Sequence, residues 1–127
     1  MSKATTSEAV SFLKKQGKFY LATIKDNKPR VRPFGAVTEF ENKMYFSTSS
    51  TRDLLNQFKA NSNVSVCVCD ENRKWLRIEG AAKVDERKQV RQAMLKDNPV
   101  LAKYFKSVDD PTFATFYIDV ENMEFCD

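Results

Sequence analysis

Short runs of β-branched and aromatic residues, joined by connections of only a few residues, constrain this chain more than any other feature. Residues 19–24 and 31–40 flank turn-forming residues 26–29, and a second turn at residues 41–43 leads into residues 44–48. Connections this short join antiparallel neighbours, whereas parallel strands need a crossover of a dozen or more residues. We therefore predict a three-stranded meander in this half of the chain.

The second half of the chain shows the same pattern. Residues 64–69 and 75–84 flank a turn at residues 70–73, and residues 113–118 form a last strong strand that residues 123–126 continue. Six or so antiparallel strands in a chain of this size tend to close into a small barrel. The predicted fold class is therefore α+β, an antiparallel β-barrel with peripheral helices.

Helical periodicity occurs between these strands. Thr5 and Glu8 have the spacing of a capping box, and the amphipathic helix that they begin is expected to end at Gly17. The polar run at residues 47–51 offers several N-caps for a helix over residues 52–60. Two further helical segments are predicted, at residues 85–96 and 99–105.

The composition excludes several classes of chemistry. A chain of 127 residues predicts one domain, residues 1–127. It contains no histidine, which removes histidine general bases, catalytic dyads, histidine metal ligands and a proximal haem ligand. Its three glycines argue against a glycine-rich phosphate loop. Since no catalytic set is visible, the catalytic residues are unknown and the chemistry is expected to come from a cofactor.

The charge and cysteine content bear on partners and location. A net charge of +4 favours anionic ligands, but acidic residues are scattered throughout, so no nucleic acid is expected. Three cysteines and the lack of a secretory leader predict a reduced, cytoplasmic protein. No apolar run approaches the ~18 residues that span a bilayer, so no membrane contact is expected.

One group of residues has the chemistry of an anion site. Arg30 and Arg32 lie on one predicted strand, and the run at residues 47–52 lies where the next strand leads into a helix. Hydroxyls, backbone N–H groups and guanidinium groups together suit a phosphate dianion. The alternative is that the run only caps the helix and that the arginines form a solvated face, and spacing alone does not decide between them.

The strand at residues 75–84 places its polar side chains on one face. Alternation puts Trp75 beside Arg77, where it covers a planar ligand or partner or else belongs to the core. Cys67 and Cys69 share one face of the preceding strand, yet no tetrahedral metal set is available. We expect no metal site and interpret both thiols as buried and inert.

Four fragments, in this order and spacing, resemble the pyridoxamine 5′-phosphate oxidase-like flavin-binding split barrels: residues 19–24, 28–35, 45–52 and 76–80. The family's strand arginine falls on Arg32, and its strand end of the Tyr-Thr-Asn type leading to Ser-Arg-Lys falls on residues 46–48 and 51–53. The resemblance covers most of the chain and implies an antiparallel split β-barrel.

The resemblance implies FMN at a homodimer interface. Its phosphate would be held by Arg32, Thr51 and Arg52. Trp75, which stands where the oxidases proper have Gln, would lie close to the flavin of the partner subunit. The ring would lie along Arg32, Pro33, Phe34 and Gly35 and along Ser47, Thr48 and Ser49.

Departures from the family pattern limit the function that the resemblance implies. Asp53 stands where many members have Lys, so Asp53→Lys is expected to tighten FMN binding if this side chain turns toward the phosphate. The basic, histidine-containing C-terminal segment of the true pyridoxamine phosphate oxidases is missing, so that activity is not expected.

Two functions from different classes follow. The first is an FMN-dependent oxidoreductase that takes hydride from NADH or NADPH and reduces an unidentified small acceptor. The alternative is a non-enzymatic protein that binds flavin or deazaflavin and stores or carries electrons.

Overall fold

The computed structural model describes residues 2–127, whose elements follow one another mostly through short connections. In chain order they are β1 (Ser2–Lys3), α1 (Thr6–Gln16), β2 (Phe19–Lys25), β3 (Lys28–Phe34), β4 (Thr38–Phe40), β5 (Lys43–Ser49), α2 (Leu54–Ala60), β6 (Asn63–Cys69), β7 (Trp75–Val84), α3 (Lys88–Asp97), a short 3-10 helix (Pro99–Lys103) and β8 (Phe113–Cys126). None of the helices in this described part is long and apolar enough to cross a membrane.

The strands form one antiparallel sheet in the order β3-β2-β6-β7-β8-β5-β4, with β1 paired to β8. The sheet curls without closing, since β3 and β4 form its two ends. The ring of Phe34, at the end of β3, nevertheless lies 6.1 Å from that of Phe116 on β8. The predicted α+β fold with an antiparallel split barrel and peripheral helices is confirmed.

The predicted meander is wrong. Residues 31–40 do not form one strand, because pairing with β2 stops at Phe34 and β4 pairs with β5 at the other end of the sheet. The intervening link is buried at Ala36 and Val37, which pack into two different hydrophobic clusters. Because these two successive side chains are buried in different clusters, the chain crosses the barrel opening after β3 and does not turn back to pair with it.

Helix α1 forms as predicted. The Thr5 hydroxyl accepts a hydrogen bond from the Glu8 backbone N–H at 3.2 Å, and the Glu8 carboxylate accepts one from the Thr5 N–H at 2.9 Å. Gly17 ends the helix at φ +82°, a left-handed conformation that glycine adopts without strain. Gly17 also lies at the barrel opening, close to Gly35. A Cβ added at Gly35 would be 3.3 Å from the Gly17 carbonyl oxygen.

The predicted N-caps of α2 are wrong. The helix begins at Leu54, and its N-cap, Asp53, makes no side-chain capping bond. Residues 47–49 of this run instead belong to β5, where Thr48 pairs with Ala114 and Ser49 with Phe113 of β8, and residues 50–51 form the turn before α2. Pairing with a long central strand therefore outweighs the capping tendency of these side chains.

Two apolar clusters hold the helices to the sheet. The larger fills the barrel beneath α1 and α2, and it includes Phe19, Phe46 and Phe116. The smaller lies beneath α3 and the 3-10 helix, where the rings of Phe105 and Phe113 stack with centroids 4.4 Å apart. Strand β5 is covered on both faces by these clusters.

Helix α3 begins at Lys88 and not at residue 85 as predicted, because Asp85 forms hydrogen bonds with residues of β5 and β8. Its carboxylate accepts hydrogen bonds from the buried Tyr45 hydroxyl at 2.7 Å and from Arg87 at 2.9 and 3.0 Å. The bonds from Arg87, and next the bond from Tyr45, lower the pKa of Asp85 to about 2. Burial, together with the bond to Asp85, raises the pKa of Tyr45 to about 12.

This cluster predicts a specific dependence of stability on pH. The folded state lowers the pKa of Asp85, so the stability that its charge contributes is complete above its ordinary pKa of ~4 and is lost as pH falls toward 2. Asp85→Asn should lower the free energy of unfolding at pH 7, and its difference from the wild type should shrink between about pH 4 and 2.

Urea unfolding at several pH values measures this difference. The control is Asp119→Asn, which makes the same charge change at an exposed position. A difference between wild type and Asp85→Asn that stays constant down to pH 2 would contradict the assignment.

Candidate functional site

A cavity of ≈ 780 Å³ opens between the end of β3 and the end of β5, two strands that do not pair with each other. Its walls are the ends of β3 and β5, the link after β3, the turn before α2, and the segment around the 3-10 helix. The gap in strand pairing thus creates a concave surface, and peripheral helical residues cover part of it.

The cavity brings together eight of the ten predicted site residues. One group comes from the end of β3 and its link, and the other comes from the end of β5 and the following turn. The eight residues are Pro33, Phe34, Gly35, Ser47, Thr48, Ser49, Thr51 and Arg52.

The turn after β5 is ordered by its own hydrogen bonds. The Ser49 and Thr51 hydroxyls lie 2.7 Å apart, and the Arg52 backbone N–H donates to the Ser49 carbonyl at 3.0 Å. The Ser50 N–H donates to the Thr112 carbonyl at 2.9 Å, which ties the turn to the start of β8. Thr51 and Arg52 are thereby fixed at the cavity edge with exposed side chains.

Arg32 does not line the cavity. Its side chain lies on the face of β3 that is directed toward the barrel interior. There its Nη1 donates to the Leu21 carbonyl at 3.2 Å and its Nη2 to Gln57 Oε1 at 3.0 Å. Burial, and next the charge of Arg30, lower the pKa of Arg32. Within residues 2–127 neither Arg32 nor Arg52 forms a salt bridge. Their positive charges are therefore available to an anionic ligand.

Trp75 does not line this cavity either. It lies half-buried on the outward face of β7, with the Arg77 guanidinium carbon 4.8 Å from its ring centroid. The predicted alternation along β7 is confirmed, since Leu76 and Ile78 are buried on the other face. Trp75 is thus neither a core residue nor part of the cavity of its own chain.

The interpretation of Cys67 and Cys69 as buried is wrong, because both are exposed on the outward face of β6. Alternation places them correctly on one face, but that face is uncovered in a single chain. Within the described residues, no three His, Cys, Asp or Glu side chains are arranged to hold a metal ion.

The Asp53 carboxylate is engaged by side chains of its own chain. Its carboxylate contacts Lys25 at 2.7 Å and accepts a hydrogen bond from Gln57 at 3.2 Å. Hydrogen bonds from Lys25, Gln57 and Asn56, in that order, lower its pKa. Asp53 therefore serves as an ion-pair partner of Lys25 and does not cap α2 with its side chain, and the effect of Asp53→Lys on FMN binding stays a prediction.

Sequence reasoning missed one wall of the cavity, formed by the 3-10 helix and the residues after it. The segment was predicted as helical, but its position over the site depends on packing of Leu101 and Phe105 into the smaller cluster. Tyr104 remains 71% exposed at the opening, an unusual exposure for a large aromatic side chain. The missed residues of this wall are Val100, Leu101, Tyr104 and Phe105, and three further lining residues were missed elsewhere: Gly17, Lys18 and Ala36.

The cavity is chemically suited to binding rather than to proton transfer. Its described lining residues include hydroxyls, one arginine, one lysine and aromatic rings, but no carboxylate or thiol. Apolar walls with a few convergent polar groups are typical of cofactor sites. The arrangement can hold a molecule with a planar apolar part and a negative charge.

The chain belongs to the pyridoxamine 5′-phosphate oxidase family, whose model matches residues 5–127. It is similar to the crystal structure of a NimC/NimA family protein from Clostridium acetobutylicum, with 37% sequence identity and a TM-score of 0.88. That similarity covers 95% of this chain and 86% of the other. No curated protein matches the chain.

Two more distant structures share the fold. General Stress Protein 26 from Bacillus anthracis is 18% identical, with a TM-score of 0.79 over 93% of this chain and 91% of that one. The general stress FMN/FAD binding protein from Xanthomonas citri is 15% identical, with a TM-score of 0.72 over 91% and 85%. At these identities the likeness extends to the split-barrel fold alone.

Proposed function

We propose that this protein binds FMN in the cavity at the barrel opening and acts as a nicotinamide-dependent oxidoreductase on a small acceptor. The main support for the proposal is that eight of the residues assigned to FMN by the family resemblance line one cavity of ≈ 780 Å³. Membership of the pyridoxamine 5′-phosphate oxidase family supports it, as does the fold shared with a protein described as binding FMN or FAD.

The residues present fit such a cofactor. Arg52, with the hydroxyl of Thr51, would hold the phosphate at the cavity edge, and the half-buried Arg32 guanidinium would add positive charge from the barrel interior. Both arginines lack a carboxylate partner among residues 2–127. A dianion would compensate charge that the chain itself leaves unpaired.

The remaining walls suit the ring system. Pro33, Phe34 and Gly35 would lie along it from β3, and Ser47, Thr48 and Ser49 would provide polar contacts from β5. The aromatic wall of Tyr104 and Phe105 would exclude water from the opposite side. Bound flavin would accept a hydride and pass the electrons on, so the chain needs no acid or base of its own.

Anaerobic mixing with NADH or NADPH tests the catalytic part of the proposal. We expect FMN-loaded protein to lose its visible flavin absorbance faster than free FMN under the same conditions. The absorbance should return when an electron acceptor such as oxygen is admitted. Bleaching no faster than that of free FMN with both nucleotides would favour the alternative, a non-enzymatic flavin or deazaflavin carrier.

Arg52→Ala tests the phosphate contact. A charge-assisted hydrogen bond contributes on the order of 1.5–3 kcal/mol, so this change should weaken FMN binding by roughly one to two orders of magnitude. Riboflavin has no phosphate, and its affinity should be nearly unchanged. Fluorescence titration of the apo-protein with each ligand measures both effects.

Lys59→Ala serves as the control for this titration, because it removes the same charge from the exposed last turn of α2. Its effect on FMN affinity should be small. Equal losses of FMN and riboflavin affinity in Arg52→Ala would remove the phosphate assignment.

We also propose that the protein is a homodimer that pairs through the outward face of β2, β3 and β6. Tyr20 and Val31 are 50% and 69% exposed on this face, and the exposed Cys67 lies opposite Tyr20 in the strand register. Contiguous apolar exposure of this kind favours an interface. Trp75 shares the face, so the dimer would bring it toward the flavin of the partner subunit.

Sedimentation equilibrium at micromolar concentration tests this arrangement. The wild type should sediment as a dimer, and Val31→Lys should shift it toward monomer because it places a charge within the face. Val84→Lys, at another exposed valine at the far end of β7, is the matched control and should stay dimeric. A wild-type monomer that still binds FMN would contradict the proposal.

A further inference from the structure

Gln57 is a polar residue on the buried face of α2, where its neighbours Leu54 and Phe58 pack into the core. Its side chain is 8% exposed, so both ends of its amide need partners. The oxygen accepts hydrogen bonds from the Thr23 hydroxyl and from Arg32 Nη2, the latter at 3.0 Å. The nitrogen donates to Asp53 Oδ2 at 3.2 Å.

The orientation of this amide is dictated by its partners. A guanidinium can only donate and an ionised carboxylate can only accept, so the oxygen must face Arg32 and the nitrogen must face Asp53. Asp53 is fixed in turn by the Lys25 ammonium at 2.7 Å. A continuous network therefore runs from Lys25 on β2 through Asp53 and Gln57 to Arg32 on β3.

The charges along this network do not cancel. Lys25 and Asp53 neutralise each other, whereas Arg32 is held only by neutral oxygens, those of Gln57 and of the Leu21 backbone. The Asp53 carboxylate is one residue away from Arg52, yet it is engaged by Lys25 and Gln57 rather than by either arginine. The half-buried cation thus keeps its charge for another partner.

We propose that Gln57 is a positioning residue: it orients the Arg32 guanidinium and, with Lys25, keeps Asp53 away from it, so that Arg32 can attract a phosphate monoester. This inference rests on the proposed binding of FMN and deepens it, because it assigns selectivity for the phosphorylated ligand to residues outside the cavity wall. Gln57 touches neither the cavity nor the ligand and acts through Arg32.

Gln57→Glu is the most direct test, since it replaces a neutral acceptor with a carboxylate of nearly the same shape. The carboxylate would pair with Arg32 and consume its charge. At pH 8, FMN affinity should fall about tenfold or more, while riboflavin affinity should change by less than about threefold. The readout is the ratio of the two Kd values, which a general loss of structure would not change selectively.

Asn56→Asp is the matched control. It makes the same charge change one residue earlier on α2, at an exposed side chain that contacts Asp53 rather than Arg32. Its effect on the Kd ratio should be less than about threefold, because a surface charge is screened by solvent and salt. Thermal melting of each variant confirms that the proteins compared are folded.

A double-mutant cycle with Arg32→Ala links the effect to its target. Arg32→Ala alone should lower selectivity for FMN over riboflavin, and adding Gln57→Glu should then change the ratio little further. If Gln57→Glu does not fold, Gln57→Leu replaces it in the cycle. Gln57→Leu leaves Arg32 unoriented, and it should lower the ratio by roughly threefold to tenfold only when Arg32 is present.

The outcomes separate this inference from the function on which it rests. If the wild type does not prefer FMN to riboflavin, or if Arg32→Ala leaves that preference intact, the phosphate role of Arg32 is wrong and the inference falls with it. If Arg32→Ala lowers the preference but Gln57→Glu acts no differently from Asn56→Asp, FMN binding stands and the positioning role is overturned.

Discussion

The candidate site depends on the interruption of strand pairing between β3 and β4. Had the chain turned tightly at this point, the two strands would have paired and no opening would exist between the sheet ends. Instead, Ala36 and Val37 bury their side chains in separate clusters, and the chain crosses from one end of the sheet to the other. The ends of β3 and β5 are thereby left facing one cavity.

Some arginine side chains form ion pairs that stabilise the fold, whereas others among residues 2–127 have no carboxylate partner. Arg87 contacts both Asp85 and Glu41, and this cluster fixes the β4–β5 hairpin against the start of α3. Near the cavity the pattern differs, because Asp53 pairs with Lys25 and leaves Arg32 and Arg52 without carboxylates among residues 2–127. The charged residues among the described lining of the cavity, Lys18 and Arg52, are both cationic.

The sequence allowed most elements to be predicted, because alternation, turn residues and capping spacing are local signals. The α1 capping box and the β6–β7 hairpin formed as expected. Pairing partners are not local, which is why residues 31–40 looked like a single strand. The polar residues at the end of β5 were expected to cap α2 for the same reason. Their pairing with β8 involves residues more than sixty positions away in the sequence.

The candidate site was predictable only in part. Family resemblance identified the cavity residues on β3 and β5, but no local pattern could show that the 3-10 helix covers them or that Gln57 of α2 contacts Arg32 of β3. The exposure of Cys67 could not be predicted either. Alternation shows which residues share a face of a strand, but it does not show whether other parts of the chain cover that face. These properties arise from packing between distant segments.

Equilibrium dialysis of the purified apo-protein against FMN measures whether the barrel opening is a flavin site. If the barrel opening is a flavin site, the protein should retain FMN at micromolar concentrations, saturating at one molecule per chain with a shifted visible spectrum. Retention that rises without saturation, or none above that of an unrelated protein, would contradict the account.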